Sequence, residues 1–314
     1  MRLEAYQHGI YPRSERLVAA TRDLDRGRTD QAGVDAEVGR DRERFVEAQR
    51  DAGLDYLSDG MLRWQDLFRP FVDAAGGLAP GPLTRWFDTN SFFRAPVVTG
   101  GLSLDGGAVS FEDVGGVPRV VSLPSPDAFS RAAHFDGDRD ALMLDVARDV
   151  LAPVAAEAVR SGAAIVHLED PWLTFYGIED GAWGPLAKSI DELRSGFDAT
   201  VVFHTYFGDA APHIERLQGL PVDAVGIDLV ASDTASIQLR SGIGVLLGCF
   251  DGRSSVVETA DALVPALRKL LDRLDPSTCF LSSSGDLQLV SEEIARRKVG
   301  VLGEVASALK EEVA

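Results

Sequence analysis

From Ala163 onward, short apolar runs alternate with longer amphipathic stretches. Repeated βα units of this kind predict a parallel sheet covered by helices. Each apolar run is nearly continuous, as expected for a strand that is buried on both faces. The five predicted strands are residues 163–170, 200–206, 223–230, 243–250 and 278–284. The amphipathic stretches predict helices over residues 141–161, 190–197, 211–218, 260–274 and 291–310.

Three further apolar runs lie upstream, and a charged helix is predicted over residues 34–52. These runs are residues 4–9, 54–59 and 118–124, which brings the count of predicted strands to eight. Eight βα units predict an α/β protein, a single (β/α)8 TIM barrel over residues 1–314. Residues 67–117 break this rhythm with glycines and prolines, and the hairpin-like stretch GGLSLDGGAVSFEDVGG falls there. We therefore expect a hairpin-containing insertion within the barrel.

Charge and composition narrow the possible partners. The chain has 31 Lys and Arg against 49 Asp and Glu, a formal charge of −18, which would repel nucleic acids and anionic membrane surfaces. No apolar run reaches the roughly 20 residues needed to span a bilayer. The two cysteines cannot form a disulfide framework, and the N-terminus lacks an apolar signal core. These features favour a cytoplasmic protein with a small-molecule substrate and neither a nucleic-acid nor a membrane partner.

Polar residues recur where the predicted strands end, and in barrels the active site lies at the carboxyl ends of the strands. His204 ends an apolar run, so it is either a satisfied core histidine or a metal ligand or base. Asp228 ends the next strand and could meet His204 across neighbouring strands, or the two could be structural. Side-chain alternation places His167 on the same side as Glu169 and places Asp170 on the other side.

Seven segments resemble, in the same order, seven motifs of one enzyme family. HGIYPRSE is similar to I-G-S-F-P, AGLDYLSDGMLRWQD to G-L-D-x-L-x-x-G-E-x-x-R-x-D, VHLEDPW to Q-I-D-E-P-A, VVFHTYFGD to H-x-C-Y-S-D, VGIDLVASD to I-S-I-E-x-S-R-S, LGCFDGRSS to G-V-x-D-x-H-S, and LSSSGDLQ to N-P-D-C-G-L-K. The family is cobalamin-independent methionine synthase. The resemblance is to its C-terminal catalytic domain, in the short form that lacks the duplicate N-terminal barrel.

The resemblance implies that the family's zinc ligands are largely replaced. Family members bind zinc through a histidine, two cysteines and a glutamate, and the metal activates a thiol as thiolate. The matching positions here are His204, Tyr206, Ser284 and Asp228. Zinc is therefore not expected, and if any metal binds, its ligands would include His204 and Asp228.

Other positions that match the family's substrate-binding motifs are also changed. Ile10, Met61, Trp172 and Arg253 stand where the family has serine, glutamate, alanine and histidine. Glu169 stands in place of the aspartate that binds the substrate's amino group. The remaining residues that the resemblance places near the substrate are Tyr11, Arg63, Asp66, Asp170, Asp251 and Ser254.

Three functions are consistent with this pattern. The first is a methyl or alkyl transferase with an altered acceptor, in which His204, supported by Asp228, is the general base and Tyr206 a proton donor. Arg253 would then bind an anionic substrate group and Glu169 an amine. No cofactor is firmly indicated, although a folate or another alkyl donor is compatible. The alternatives are a metal-free acid/base lyase or decarboxylase on the same barrel, and a non-catalytic paralogue.

Overall fold

The computed structural model describes residues 1–116 and 118–313, and its strands form two sheets. The strands are β1 Arg2–Ala5, β2 Gly76–Arg85, β3 Phe92–Ser103, β4 Arg119–Pro124, β5 Ala163–Glu169, β6 Thr200–Thr205, β7 Ala224–Asp228, β8 Gly244–Gly248 and β9 Thr278–Ser282. Seven of them form the main sheet in the order β1-β9-β8-β7-β6-β5-β4, and all its pairings are parallel. Strands β2 and β3 form a separate antiparallel hairpin. The predicted parallel α/β architecture is confirmed.

Helices occupy the stretches between the strands. They are α1 Glu15–Asp25, α2 Gln31–Asp51, α3 Arg69–Ala74, α4 Pro126–Ala132, α5 Arg139–Val146, α6 Ala152–Arg160, α7 Pro171–Phe175, α8 Trp183–Arg194, α9 Ile214–Leu217, α10 Ala260–Leu274 and α11 Glu292–Val313. The predicted helix over residues 141–161 is divided by a π-helical turn at Ala147–Leu151. Helix α1 was not predicted; it begins after Ser14, whose side chain accepts a hydrogen bond from the amide of Leu17. Among the described residues, no helix is long and apolar enough to cross a membrane.

The main sheet curls until its two edges approach each other. The backbone amide of Gly9, which follows β1, donates to Oγ of Ser122 on β4 at 2.9 Å. Between these edges lies the segment of residues 54–59, which was predicted as a full strand. It makes only one bridge to β4, from Leu57 to Arg119, and the amide of Asp55 donates to the carbonyl of Ala5 on β1.

Side chains take the place of a regular ladder in this segment. The amide of Ala5 donates to the carboxylate of Asp55 at 2.7 Å, and the amide of Ser58 donates to Oε1 of Gln49 at 2.9 Å. Because these amides are bonded to side chains, they are not available for strand pairing. The prediction of a regular strand over residues 54–59 was therefore wrong.

The inner face of the sheet is built in layers because side chains alternate along each strand. The layer nearest the amino ends is apolar and comprises Tyr6, Val120, Ile165, Val202, Ala224, Leu246 and Phe280, with Tyr56 against it. Two residues further along each strand comes a polar layer, made of His8, Ser122, His167, His204, Gly226, Gly248 and Ser282. The next layer contains Ile10, Pro124, Glu169, Tyr206, Asp228 and Ser284. The polar residues of these two layers are buried.

The hairpin of β2 and β3 covers the carboxyl ends of the strands. At its tip, the rings of Trp86 and Phe87 lie 5.3 Å and 4.6 Å from the ring of Trp172 on α7, measured between ring centroids. Phe93 of β3 packs against Trp172 as well. The hairpin-like stretch 100–116 instead contains the end of β3 and a single 3-10 turn, Gly106–Ala108. The aromatic contacts explain the hairpin's position, because they bury large apolar rings over the mouth of the sheet.

Candidate active site

A buried carboxylate and a buried phenol form a hydrogen-bonded pair in the upper layer. The hydroxyl of Tyr206 donates to Oε2 of Glu169 at 2.8 Å. The other carboxylate oxygen, Oε1, has no hydrogen-bond partner among the described residues. Burial, followed by the nearby charge of Asp286, raises the pKa of Glu169 well above its usual range. Glu169 therefore presents one free oxygen to the interior.

A second buried carboxyl group, that of Asp286, lies beside Glu169. Its Oδ2 accepts from the side-chain amide of Gln288 at 2.6 Å, whereas its Oδ1 has no partner in the described part of the chain. Burial raises the pKa of Asp286 to about 7. Both groups flank Gly9: a Cβ atom there would lie 2.4 Å from Cβ of Asp286 and 2.9 Å from Oε1 of Glu169. Only glycine at position 9 leaves room for Glu169 and Asp286 to lie next to each other.

Three histidines from three strand ends meet in the polar layer below. Nδ1 of His204 lies 3.3 Å from Nε2 of His167, and the rings of His8 and His167 stack with their centroids 4.2 Å apart. The hydroxyl of Tyr6 lies 3.0 Å from Nδ1 of His167, and Oγ of Ser282 lies 2.8 Å from Nδ1 of His8. Nε2 of His8 and Nε2 of His204 are buried without a partner among the described residues.

These imidazoles are held in their neutral form. Burial lowers the pKa of His8 to about 3 and lowers the pKa of His204 well below its usual value. For His167 the pKa falls because of burial and because the other two histidines would repel its positive charge. Neutral imidazoles can accept a proton or bind a metal through a ring nitrogen.

Two carboxylates predicted at the site stabilise a turn and the start of a helix. Asp228 accepts from the amides of Phe207, Val230 and Ala231 at 3.1, 2.9 and 3.2 Å. The structure gives no hydrogen bond between Asp228 and His204; His204 bonds to His167 instead. The expected contact of Asp228 with His204 is not formed, because both carboxylate oxygens of Asp228 accept hydrogen bonds from backbone amides.

The second of these carboxylates, Asp170, caps helix α7. It accepts from the amide of Leu173 and from Oγ of Ser125. Burial and, after it, the charge of Asp127 raise the pKa of Asp170 to about 8. Side-chain alternation had already separated Asp170 from His167 and Glu169, and its contacts agree with that separation.

Three of the sequence-derived candidates lie at the mouth. The guanidinium of Arg253 lies 3.4 Å from the carboxylate of Asp88 on the hairpin and 4.8 Å from the ring centroid of Phe207. Asp251 accepts from the amide of Arg253, and Ser254 accepts from the amide of Val256. Arg253, Asp251 and Ser254 line a surface pocket of about 800 Å³ together with hairpin residues.

Ser284 is buried below this mouth, where its Oγ accepts from the amide of Gly252 at 3.2 Å. Trp172, also buried, belongs to the aromatic contact with the hairpin. Ile10 is buried.

The other candidates are engaged elsewhere. Arg63 forms ion pairs with Asp35 and Glu112 on the exterior. Tyr11 stacks on Phe45 of α2 at 3.9 Å between ring centroids, and its hydroxyl lies 3.4 Å from the carbonyl oxygen of Glu292. Met61 is buried with a left-handed backbone, φ 49°. Asp66 accepts hydrogen bonds from three backbone amides, those of Phe68, Arg69 and Arg94.

Three residues of the central cluster were not among the predicted site residues. These are His8, His167 and Asp286, which lie in or just after predicted strands. Applying side-chain alternation to every strand, and not only to β5, would have grouped His8 and His167 with His204. Asp286 lies in a loop after β9, so no periodicity could have oriented it.

Comparisons with known proteins agree with this architecture. The family model described as the N-terminal domain of cobalamin-independent synthase matches residues 128–275. That model describes the N-terminal domain, whereas the seven motifs were compared with the C-terminal domain. The curated methionine synthase of Saccharolobus solfataricus is 24% identical over 281 residues, covering 83% of this chain and 81% of that protein. The methionine synthase of Sulfolobus acidocaldarius is 23% identical over 311 residues, covering 93% and 87%.

A solved structure gives the same fold. The B12-independent methionine synthase from Shewanella sp. W3-18-1, determined in complex with selenomethionine, superimposes with a TM-score of 0.77 at 16% identity. The match covers 100% of this chain and 99% of that chain. With the parallel sheet and the polar cluster at its carboxyl ends, these similarities define an enzyme of the methyltransferase type. Over most of its length the chain is similar to cobalamin-independent methionine synthases.

Proposed function

We propose that this protein is a methyl or alkyl transferase whose acceptor is not a zinc-bound thiol. The observation that carries the proposal is the hydrogen bond from Tyr206 to Glu169. Tyr206 occupies a position where the family resemblance implies a zinc-binding cysteine, and its hydroxyl is committed to a carboxylate that faces the interior. The site is therefore suited to bind a polar acceptor through Glu169.

The residues at the implied zinc positions do not suit a thiolate-bound ion. Oγ of Ser284 accepts from a backbone amide, and Asp228 uses both oxygens for backbone amides. Both thiols of the chain lie elsewhere: Cys249 donates to the carbonyl of Ser282 and Cys279 donates to the carbonyl of Phe280. Burial raises the pKa of Cys249 to about 12 and raises the pKa of Cys279 further. No thiolate is available to hold zinc at these positions.

The acceptor that fits best carries an ammonium group. Oε1 of Glu169 and Oδ1 of Asp286 are both buried and unpaired in the described chain, and both residues lie against Gly9. An ammonium group has three N–H donors and a positive charge, so it would satisfy both oxygens with charge-assisted hydrogen bonds. The Shewanella relative binds selenomethionine, an amino acid, which agrees with this class of ligand.

Water is excluded from this chemistry by the hairpin. Trp86, Phe87 and Trp172 pack over the carboxyl ends of the strands, and the interior carboxyl groups are at most 2% exposed. In such a site a charged acceptor loses its hydration shell, so its contacts with fixed protein groups become stronger. The alkyl donor, a folate or a compound of similar reactivity, would enter from the mouth, where Arg253 can bind an anionic group.

The proposal extends to the fold and the compartment. We take residues 54–59 as the eighth, irregular strand that completes a (β/α)8 barrel, with residues 67–117 as an insertion in this single domain. Support comes from the contacts of this segment with both edges of the sheet. Two buried free thiols suit a reducing compartment such as the cytoplasm.

The experiment that tests the proposal is a transfer assay with an isotopically labelled methyl donor. Methyltetrahydrofolate and other donors are each combined with amino-acid acceptors that carry or lack a thiol, and the labelled product is identified by mass spectrometry. We expect label on a non-thiol acceptor. Transfer only to a thiol would overturn the altered acceptor, and product formation without any donor would favour a lyase or decarboxylase.

Two variants assign the acceptor site. Glu169→Gln should raise KM for an ammonium-bearing acceptor by about 100-fold, because an amide cannot release a proton and pair with the ammonium group as a carboxylate. Tyr206→Phe should have a smaller effect in the same direction. Tyr56→Phe is the matched control, since its hydroxyl also donates to a carboxylate, Oε2 of Glu4, at the opposite end of the sheet. A KM for Glu169→Gln equal to that of Tyr56→Phe would exclude Glu169 from acceptor binding.

A further inference from the structure

We propose that the alkyl acceptor is a primary amine, that its nitrogen is the atom alkylated, and that the reaction stops at the mono-N-alkyl product. This inference rests on the proposed function and deepens it by naming the reacting atom. Two buried oxygens without a partner among the described residues select the acceptor: Oε1 of Glu169 and Oδ1 of Asp286. We call these two oxygens the carboxyl pair.

Both carboxyl groups are oriented through their other oxygen. Tyr206 donates to Oε2 of Glu169 at 2.8 Å, and Gln288 donates to Oδ2 of Asp286 at 2.6 Å. A Cβ atom on Gly9 would lie 2.4 Å from Cβ of Asp286 and 2.9 Å from Oε1 of Glu169, so these two atoms are at most about 5.3 Å apart. Two oxygens that accept from the same amine lie about 4.7 Å apart. The carboxyl pair is therefore within reach of a single nitrogen atom.

The number of hydrogens on the acceptor atom distinguishes an amine from other nucleophiles. A buried oxygen without a donor costs free energy, so both oxygens of the carboxyl pair require a hydrogen bond in the occupied site. A hydroxyl or a thiol carries one hydrogen and can satisfy only one of them. A neutral primary amine has two N–H bonds. When both N–H bonds point to the carboxyl pair, the nitrogen lone pair is directed elsewhere and is free to attack a methyl group.

The charge that develops during the transfer also favours nitrogen. A neutral amine becomes positively charged as its bond to carbon forms, whereas a thiolate loses its charge. Among the described residues, neither Glu169 nor Asp286 has a lysine or arginine as an ion-pair partner. Buried carboxylates without a cationic partner stabilise a positive charge that appears in the transition state. The surroundings of the carboxyl pair are thus suited to the alkylation of a neutral amine.

The protons and electrons of this step balance. The acceptor enters as an ammonium group and releases one proton to the two carboxyl groups, whose pKa values are raised by burial so that one of them can hold it. The nitrogen lone pair forms the bond to the methyl carbon. The bond between that carbon and the donor's heteroatom breaks, and its electron pair stays on the heteroatom. With a tertiary-amine donor such as a methylated folate, the heteroatom takes up the proton, and the product is a secondary ammonium group.

The same count of hydrogens ends the reaction after one transfer. A neutral secondary amine has a single N–H bond, so one oxygen of the carboxyl pair stays without a donor when the lone pair faces the methyl group. The loss of one hydrogen bond to a charged group corresponds to a factor of about 10 to 100. An N-methyl acceptor should therefore have a kcat/KM at least about 10-fold below that of its primary counterpart.

The test is the transfer assay with a ¹³C-labelled methyl donor and full-length protein. L-Homoserine is one acceptor because it carries both an amine and a hydroxyl group, and the ¹³C chemical shift of the product distinguishes N–CH₃ from O–CH₃. L-Alanine and N-methyl-L-alanine form a matched pair that differs only in the number of N–H bonds. We expect label on nitrogen, one methyl group per product by mass spectrometry, and a preference for L-alanine of at least about 10-fold.

Two variants separate alkylation of the nitrogen from simple binding of the amine. Glu169→Gln and Asp286→Asn should each lower kcat by at least about 10-fold, because each removes a carboxylate from the charge that develops on nitrogen. An amine that is bound but does not react would show the effect in KM alone. Glu4→Gln is the matched control, since Glu4 accepts from the hydroxyl of Tyr56, and it should keep the wild-type kcat. Circular dichroism establishes that the variants fold, and the comparison of the two alanines needs no variant.

The inference and the proposed function fail separately. Label on the oxygen of homoserine would overturn the inference and leave a transferase with a non-thiol acceptor standing. Equal kcat/KM values for L-alanine and N-methyl-L-alanine would also overturn it, as would an unchanged kcat in both carboxyl variants. If no acceptor becomes labelled with any donor, the proposed function is refuted and the inference with it.

Discussion

Gly226 determines whether the ring of His204 can occupy its position. A Cβ atom on Gly226 would lie 2.6 Å from Cδ2 of His204 and 2.7 Å from its Cβ, closer than side chains tolerate. The glycine lies on β7 directly beside His204 on β6. The polar layer therefore depends on a missing side chain as much as on the histidines themselves.

We expect Gly226→Ala to destabilise the protein by about 1 to 3 kcal/mol, because the added methyl group must displace a buried ring. Gly39→Ala in helix α2 is the control, since nothing lies within 4 Å of a Cβ atom there. That change should stabilise the protein by about 0.5 to 1 kcal/mol through helix propensity. Urea unfolding of the two variants measures both values, and equal stability would contradict the steric argument.

At the level of single residues, sequence reasoning identified part of the cluster. His204 and Glu169 were recognised because each ends an apolar strand, and Tyr206 because it follows His204 in the resembling motif. The expected pairing of His204 with Asp228 did not occur, since the turn after β7 requires the Asp228 oxygens for its own amides. Side-chain alternation could have placed His8 and His167 in one layer, but it does not indicate the stacking of their rings, because their strands are not neighbours in the sheet.

At the level of elements, the predicted strands from β4 to β9 agree with the structure to within a few residues at each end. Their continuous apolar runs leave no alternative to burial on both faces. The segment of residues 54–59 and the insertion were harder to predict for a physical reason. Side-chain hydrogen bonds from Asp55 and Gln49 interrupt pairing in the former. The hairpin is held by distant aromatic contacts that no periodicity indicates.

The contact between the hairpin and the loop after β8 permits a test of the mouth. Arg253→Ala should change the free energy of unfolding by less than about 1 kcal/mol, because the ion pair with Asp88 is partly exposed. The same change should raise KM for an anionic substrate by about 10-fold or more, since it removes the cation. Asp88→Asn removes the competing carboxylate and keeps the cation. Steady-state kinetics of both variants separate substrate binding by Arg253 from the structural effect of its ion pair with Asp88. Parallel increases in KM would assign the ion pair a purely structural role.

At the level of the whole molecule, the buried carboxyl groups and the buried histidines have opposite effects on how stability changes with pH. Burial raises the pKa of Asp59, Asp66 and Asp228, so these groups stabilise the fold at low pH and lose that contribution as pH rises. The buried histidines, whose pKa values are lowered, act in the opposite direction. The pH dependence of the wild type's free energy of unfolding is therefore a sum of these contributions, and no single group can be identified from it.

Comparison with Asp228→Asn isolates one of these groups. The folded-state pKa of about 6 exceeds the unfolded value of about 3.9, so the native protein retains a proton that the unfolded chain releases. Stability from this proton is fully present below about pH 4 and is lost as the pH rises through about 6. Relative to Asp228→Asn, the wild type should lose roughly 1 kcal/mol between about pH 5 and about pH 7.5. Urea unfolding of both proteins at the two pH values measures this difference, and an unchanged difference would contradict the raised pKa.

The hairpin over the strand ends also controls when reactants can enter and leave the site. The interior carboxyl groups and histidines are at most 2% exposed while Trp86 and Phe87 pack on Trp172, so in the proposed transferase reactants would need these rings to separate before they could reach the site. Every catalytic cycle must then include at least one separation of these rings, and the chemical step takes place between two such events. A kcat limited by that separation would fall as solvent viscosity rises, and it would stay the same when the transferred methyl group carries a heavy isotope.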